Sequence, residues 1–269
     1  MATRIGWAIG LATLSLLLPG TAAPATAVDG HLQKIAESKQ LRVCMWPEYY
    51  AISFRNPRTG VLEGLDVELA AAFAGDLGVA VAYVESSFPR FIDDLLADRC
   101  DIGMFAIGAT AARAAKVAFS QPYLRSGIYA VTSQASGQIG RWEDLDRAGN
   151  VVVVQKDTYM EGYARKAMTS ARIVAVNRPQ EREEEVQSGR ADAFLTDYPY
   201  GQRMLAFQPW ARLIVPDVPV QPTPYAYAVA PGDPAWLERV NAFVAHIKQD
   251  GRLESIAARY KLTPIVARD

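Results

Sequence analysis

The chain has few of the residues that bind transition metals and almost no excess of charge of either sign. It contains two histidines and two cysteines among 269 residues, and its formal net charge is −1. Transition-metal sites usually need several histidine or cysteine ligands, so we expect no metal and no other cofactor. A nearly neutral chain also offers no electrostatic attraction to nucleic acid. The composition, which is 50% apolar, is that of an ordinary globular protein.

Long apolar runs are scarce too, and the clearest one lies at the amino terminus. Arg4 precedes an apolar segment over residues 5–18, a Pro-Gly pair breaks the segment at Pro19, and Ala25-Thr26-Ala27 resembles a cleavage site. The segment is shorter than the ~20 residues that span a bilayer, which argues against a membrane anchor. This pattern predicts a signal peptide over residues 1–27, cleaved near Ala27, and a periplasmic protein.

The rest of the chain alternates between apolar strand patterns and helical ones. Short apolar runs at residues 41–45, 101–105 and 151–154 are separated by amphipathic segments. Alternation of this kind predicts an α/β fold with parallel sheets and crossover helices. Residues 216–225 contain four prolines and are predicted to be a stiff, extended connection.

The stretch from Phe88 to Gly127 carries the most informative motif. A buried strand is followed by a Gly-Ala-Thr loop and then Arg113, at the end of a strand where open α/β sheets bind ligands. The residues in register with a known pattern are Asp101, Thr110, Arg113, Phe119, Ser120, Pro122 and Tyr123. With these residues the chain resembles the bacterial extracellular solute-binding proteins of family 3, the amino-acid-type binding proteins of ABC importers.

The resemblance implies a fold and a function. The expected fold is the two-lobed type II periplasmic binding protein fold, in which each lobe is a mostly parallel, doubly wound sheet and the cleft lies between the lobes. Lobe 1 would comprise residues 28–124 and 226–269, and lobe 2 residues 125–225. The expected protein is a monomeric receptor that closes on an amino acid or related small polar carboxylate. It would deliver this ligand to an ABC-type membrane permease.

Four loops that follow predicted strands are expected to line the cleft: 46–52, 105–113, 155–160 and 196–200. The predicted ligand-binding residues on or next to these loops are Arg113, Asp197, Thr158, Tyr49, Phe88, Gly108 and Tyr159.

Two of these residues carry the predicted charge recognition. A guanidinium pairs with a carboxylate through two hydrogen bonds, so Arg113 is expected to hold the carboxylate of the ligand. Asp197 matches the family position that receives the ligand's ammonium group, although an aspartate at this place is also a common helix cap.

The other predicted contacts have structural alternatives. Thr158 matches a family threonine that holds the ligand carboxylate. The spacing of Thr158 and Glu161 also predicts a capping box at the start of a helix. Tyr49 and Phe88 are candidate aromatic walls or core residues.

The loop at 105–108 has no hydroxyl, which favours a cationic or otherwise unusual small carboxylate. Residues 180–187 (QEREEEVQ) are interpreted as a solvated helix face.

Cys44 and Cys100 are predicted to form a disulfide, since an exported protein folds in an oxidising compartment, with two buried free thiols as the alternative.

Two other functions stay open. Similar cysteines occur in accessory proteins of quinoprotein dehydrogenases. The chain also resembles cyclohexadienyl dehydratases, in which Glu161 would be the acid/base residue and Arg113 would hold the substrate carboxylate.

Overall fold

A computed structural model describes residues 1–3 and 30–268 of the chain. The predicted signal peptide lies almost wholly outside these residues and stays a prediction. Within the described part, no helix is both long enough and apolar enough to cross a membrane.

Nine helices and thirteen strands alternate along the described residues. The helices are α1 His31–Ser38, α2 Leu65–Asp76, α3 Phe91–Leu96, α4 Ala111–Ala114, α5 Tyr159–Ala167, α6 Pro179–Gln187, α7 Tyr198–Phe207, α8 Pro234–Gln249 and α9 Arg252–Arg259. The strands are β1 Gln40–Met45, β2 Glu48–Tyr49, β3 Ser53–Arg55, β4 Leu62–Glu63, β5 Ala80–Glu85, β6 Ile102–Gly108, β7 Ala118–Phe119, β8 Leu124–Ser133, β9 Val151–Gln155, β10 Arg172–Val176, β11 Ala193–Thr196, β12 Ala211–Ile214 and β13 Val220–Val229.

Two groups of parallel strands form the centre of the protein. In the first group, β1 lies between β5 and β6 and is parallel to both. In the second, β9 lies between β10 and β11, again in parallel. Parallel strands that are covered on both faces are continuously apolar, as β6 is over all of its length. The predicted α/β architecture is therefore confirmed.

Strands β8 and β13 run antiparallel to each other and connect the two groups. Val220 pairs with Ile128 and Tyr225 with Leu124, while β8 continues to pair with β11 and β13 with β6. The extended connection predicted for residues 216–225 is thus partly a strand. Its prolines do not prevent pairing, because a proline carbonyl still accepts hydrogen bonds, and the register shifts between Val220 and Thr223. The predicted lobe boundaries fall inside this strand pair and stay a prediction.

The predicted disulfide between Cys44 and Cys100 is confirmed. The two sulfur atoms are 2.04 Å apart and both cysteines are fully buried. The bond ties β1 to the residues just before β6 and closes a loop with a sequence separation of 56. It therefore fixes two neighbouring strands whose carboxyl ends lead into the loops described below.

A buried carboxylate holds the far end of β6 in an unusual conformation. Ala106 has a φ of 48°, a left-handed value that is strained for alanine. Its backbone N–H donates to Asp66 Oδ2 at 2.8 Å. The hydroxyls of Tyr123 and Tyr227 donate to the same carboxylate at 2.5 and 3.3 Å. Complete burial raises the pKa of Asp66 to about 7.

Candidate functional site

The four predicted loops converge on one enclosed cavity between the two strand groups. Its open volume is about 30 Å³, room for roughly two water molecules. The residues that line it are Trp46, Tyr49, Phe88, Ala106, Gly108, Arg113, Gln155, Thr158, Tyr159, Met160, Arg182, Thr196, Asp197 and Tyr200. All seven residues predicted to bind ligand are in this lining, and each of the four loops contributes at least two side chains.

Arg113 enters the cavity from α4, a single helical turn in which the Thr110 side chain accepts the backbone N–H of Arg113 at 3.4 Å. Its Nη1 donates to the Gly108 carbonyl at 3.1 Å and its Nη2 to the Asp157 carbonyl at 2.9 Å. The guanidinium carbon lies 5.3 Å from the centre of the Phe88 ring and 5.3 Å from that of Phe91.

This arginine has no carboxylate partner among the described residues, although it is only 9% exposed. Burial without a compensating anion lowers the pKa of Arg113 to about 10. The arrangement orients a buried positive charge and leaves it able to bind an anion.

Gly108 is required by close packing. A Cβ atom at this position would lie 3.1 Å from Thr223 Cγ2, 3.4 Å from Tyr159 Cδ1 and 3.6 Å from Arg113 Nη1. A larger residue would displace the neighbouring side chains or the guanidinium, so the glycine permits the close approach of Arg113 to the strand end.

Asp197 is both a helix cap and a wall of the cavity. One carboxylate oxygen accepts the Tyr200 N–H at 3.2 Å at the start of α7. The other accepts the Tyr225 hydroxyl at 2.8 Å and the Tyr49 hydroxyl. The residue is 3% exposed, and this burial raises the pKa of Asp197 above its ordinary value. No hydrogen-bonded ion pair to Asp197 is present among the described residues, but the positive charge of Arg182 acts on it and partly offsets the effect of burial.

The capping box predicted for Thr158 and Glu161 is wrong. The Thr158 hydroxyl donates to the Gln155 carbonyl at 2.7 Å instead of capping α5. Glu161 accepts the N–H of Asp157 at 2.9 Å, one residue further back. The left-handed conformation of Asp157, with φ at 61°, turns the chain so that its N–H, not that of Thr158, faces Glu161.

Glu161 lies outside the cavity. Its carboxylate pairs with Arg165 at 2.8 Å. It lines an outer groove that shares Phe88, Arg113, Thr158 and Tyr159 with the cavity. The residue assigned to acid/base chemistry in the dehydratase alternative is therefore not among the cavity walls.

The predicted aromatic wall is a cluster of three rings. Trp46, Tyr49 and Phe88 have ring centres 5.0 to 5.9 Å apart. Tyr159, from the opposite side, hydrogen-bonds through its hydroxyl to Tyr225 at 3.0 Å. Tyr49 thus contributes a hydroxyl as well as an apolar face.

Several polar residues of the cavity lie outside the predicted set. Arg182 and Glu183 are 3% and 7% exposed, so the interpretation of residues 180–187 as a solvated helix face is wrong for these two. Arg182 lies on the same face of α6 as Val186, four residues later and also buried, and this spacing was the available signal. Gln155 and Thr196 are the last residues of β9 and β11, positions that predict a cavity lining.

One group of residues apart from the cavity has a metal-like geometry. Ligand atoms of His31, Asp98 and Asp101 lie within 4.8 Å of one another. The two aspartates are already ion-paired with Arg42, and His31 bonds to Asp233. These side chains have partners and belong to the packing of β1, so they do not indicate a metal centre.

Comparison with known proteins gives consistent results. The family model "Bacterial extracellular solute-binding proteins, family 3" matches residues 41–263. A cyclohexadienyl dehydratase of Pseudomonas aeruginosa is 29% identical over 90% of this chain and 89% of its own. An L-cystine-binding protein of Escherichia coli is 26% identical, with 91% of each chain covered.

Solved structures agree in fold. An ancestral amino acid-binding protein, described as a precursor of cyclohexadienyl dehydratase, has a TM-score of 0.78 at 30% identity, covering 85% of this chain and 98% of its own. A binding component of an ABC transporter from Wolinella succinogenes, complexed with lysine, has a TM-score of 0.76 at 26% identity, covering 82% and 95%. The architecture is the predicted type II periplasmic binding protein fold. The chain therefore belongs to the bacterial extracellular solute-binding proteins of family 3.

Proposed function

We propose that this protein is a periplasmic receptor that binds an amino acid or a related small polar carboxylate and delivers it to an ABC importer. It acts as a monomer and catalyses no reaction. Its two lobes are residues 28–124 with 226–269, and residues 125–225. An amino-acid ABC transporter-binding protein of Haemophilus influenzae and an L-cystine-binding protein of Escherichia coli are related to this chain and support this role.

The observation that carries the proposal is the pair of opposite charges that face one cavity without ionic partners. Arg113 and Asp197 both line it, and burial perturbs the pKa of each in the direction that disfavours its charge. A ligand with a carboxylate and an ammonium group would satisfy both at once. Charged hydrogen-bonded pairs in a dry site are among the strongest polar contacts that a protein makes.

Contacts between the two proposed lobes support a closing motion. Tyr49 donates to Asp197. Arg113 donates to the Asp157 carbonyl at 2.9 Å, and Gln180 to Glu48 at 3.1 Å. A cavity of about 30 Å³ is smaller than an amino acid, so the walls must separate to admit one. A ligand that contacts both lobes then stabilises the closed form.

The first test is a thermal-shift screen of residues 28–269, the expected mature chain, against amino acids, opines, polyamines and small carboxylates. A ligand at a hundred times its Kd stabilises by about 2.7 kcal/mol, a shift of several degrees in Tm. Arg113→Ala should reduce the affinity of any hit by about a hundredfold or more, because it leaves the ligand carboxylate buried and unpaired. Arg58→Ala, at an exposed position, serves as the matched control. Unchanged affinity in Arg113→Ala would refute the assignment.

A dehydratase is the second candidate, supported by the likeness to the Pseudomonas aeruginosa enzyme. The position of Glu161 outside the cavity argues against it. Incubation with arogenate or prephenate decides between the two, since turnover that is lost in Glu161→Gln would establish the enzyme.

The third candidate is an accessory protein of a quinoprotein dehydrogenase, and the Cys44–Cys100 disulfide is compatible with it. The buried Arg113 favours a small-molecule site instead. Co-purification with a dehydrogenase, together with no response to any compound of the screen, would favour the accessory role.

A further inference from the structure

We propose that Arg182, Thr196 and Gln155 form a second anion-binding subsite, and that the ligand is an amino acid with a carboxylate in its side chain. This inference rests on the proposed receptor function and specifies the ligand of the same cavity. Arg113 and Asp197 would bind the α-carboxylate and the ammonium group. The three further residues would bind the side chain.

Arg182 is held rigidly against the cavity. Its Nη1 donates to the Leu195 carbonyl at 3.0 Å and its Nε to the Pro179 carbonyl at 3.4 Å. The guanidinium carbon lies 4.5 Å from the centre of the Tyr200 ring and 5.2 Å from that of Phe194. Two carbonyls and two rings fix its orientation without neutralising its charge.

The acidic neighbours of Arg182 on α6 pair with other arginines. Glu181 pairs with Arg178 at 3.0 Å, and Glu183 pairs with Arg203. Arg182 is 3% exposed and forms no hydrogen-bonded ion pair with a carboxylate of the described residues, so that Asp197, which also lines the cavity, is the carboxylate that acts on it at longer range. A second buried guanidinium is thus available to an anion at this end of the cavity.

Thr196 gives independent evidence of a missing polar partner at the same place. Its Oγ1 is buried and has no hydrogen-bond partner among the described residues. The residue is fully buried, lines the cavity and follows Leu195, whose carbonyl binds Arg182. The side chain of Gln155, 5% exposed, also lines the cavity. Buried polar groups normally have partners, so the Thr196 hydroxyl points to a polar group on the ligand.

The charges of the lining favour an acidic ligand. Two arginines and one aspartate line the cavity. A cationic amino acid would add a further positive charge beside Arg182, whereas a dicarboxylic one would balance the site. Uncompensated charge is costly in a buried site. The lack of a hydroxyl in the loop at 105–108 favoured a cationic or otherwise unusual small carboxylate. The burial of Arg182 favours an acidic ligand instead.

The test measures affinity by calorimetry for L-glutamate, L-aspartate, their amides, L-lysine and L-arginine on residues 28–269. We expect an acidic amino acid to bind at least about ten times more tightly than its amide. In Arg182→Gln the affinity for that acid should fall by about ten- to a hundredfold, and that for the amide by less than about threefold. Arg178→Gln, which changes an exposed arginine at the start of the same helix, should leave both affinities unchanged.

A second variant separates binding from folding, since Arg182 also holds the Leu195 carbonyl. Thr196→Val removes a hydroxyl that has no protein partner, so Tm should stay the same or rise, while the affinity for the acid falls by about fivefold. A merely structural role of Thr196 would produce no such split.

The outcomes distinguish this inference from the receptor function. Binding of no amino acid at all would overturn the receptor proposal itself. Tight binding of lysine or of a neutral amino acid, with acids excluded, would overturn only the acidic subsite. An equal loss of affinity for every ligand in Arg182→Gln would also overturn it, because it would show that Arg182 acts only through the charge of Asp197.

Discussion

Two buried carboxylates of this protein have the same kinds of hydrogen-bond partner but different proposed roles. Asp66 accepts hydrogen bonds from Tyr123, Tyr227 and the N–H of Ala106. Asp197 likewise accepts bonds from two tyrosine hydroxyls and one backbone N–H. Both are at most 3% exposed, and burial raises the pKa of both. Their chemistry alone does not tell a structural carboxylate from a binding one.

The difference lies in where the partners come from. Asp66 lies inside the packing of the first strand group, where it holds Ala106, the strained residue two positions before the end of β6. Asp197 lines the cavity, and its Tyr49 bond comes from the other proposed lobe. A partner that moves away when the walls separate can be replaced by a ligand, whereas a partner within one packed unit cannot. A buried carboxylate that has a hydrogen-bond partner across a cavity is therefore the better candidate for a ligand-binding residue.

The largest effect that tests the difference between Asp66 and Asp197 is on stability. Asp66→Ala leaves the Ala106 N–H and two tyrosine hydroxyls without an acceptor, and we expect the free energy of unfolding to fall by about 3–5 kcal/mol. Denaturant unfolding of this variant and of Asp66→Asn, which keeps an acceptor, measures it. A loss below about 1 kcal/mol in Asp66→Ala would show that the carboxylate does not stabilise β6.

The next effect is on ligand affinity. Asp197→Asn keeps the cap of α7 but removes the charge, so affinity for the ligand found by screening should fall about a hundredfold, or about 2.8 kcal/mol, with little change in Tm. In Asp66→Asn the same affinity should change by less than about threefold. Equal losses in the two variants would mean that the carboxylates do not differ in role.

The smallest effect per unit of the variable changed is a pH dependence of stability. The pKa of Asp66 is raised to about 7 in the folded state, whereas its pKa in the unfolded chain is near 4. The stability that this difference contributes is complete below pH 4 and is lost as the pH rises through 7. The slope reaches at most about 1.4 kcal/mol per pH unit. Urea unfolding at pH 5, 6, 7 and 8 should show this decline relative to Asp66→Asn, which cannot ionise. Parallel pH profiles of the two proteins would argue against a raised pKa.

The sequence predicted the alternation of strands and helices, the disulfide and the four loops that meet at the cavity. Arg113 and Asp197 lie in loops that follow predicted strands, and both line the cavity, since strand ends meet at one edge of a sheet. Their binding roles stay predictions. Arg182 was missed because charged residues surround it, and only its spacing to Val186 reveals a buried face. The left-handed Ala106 could not be predicted, since its conformation depends on Asp66, forty residues away in the chain.

The antiparallel pair of β8 and β13 has a mechanical consequence. Sliding one strand along the other would break several backbone hydrogen bonds at once, including those near Ile128 and Leu124. Twisting or bending of the pair keeps most of them. The register shift of this pair, between Val220 and Thr223, marks the place where bending is least costly. We therefore expect the walls of the cavity to separate by rotation about this ribbon, with translation suppressed, so that the same side chains meet again after every cycle.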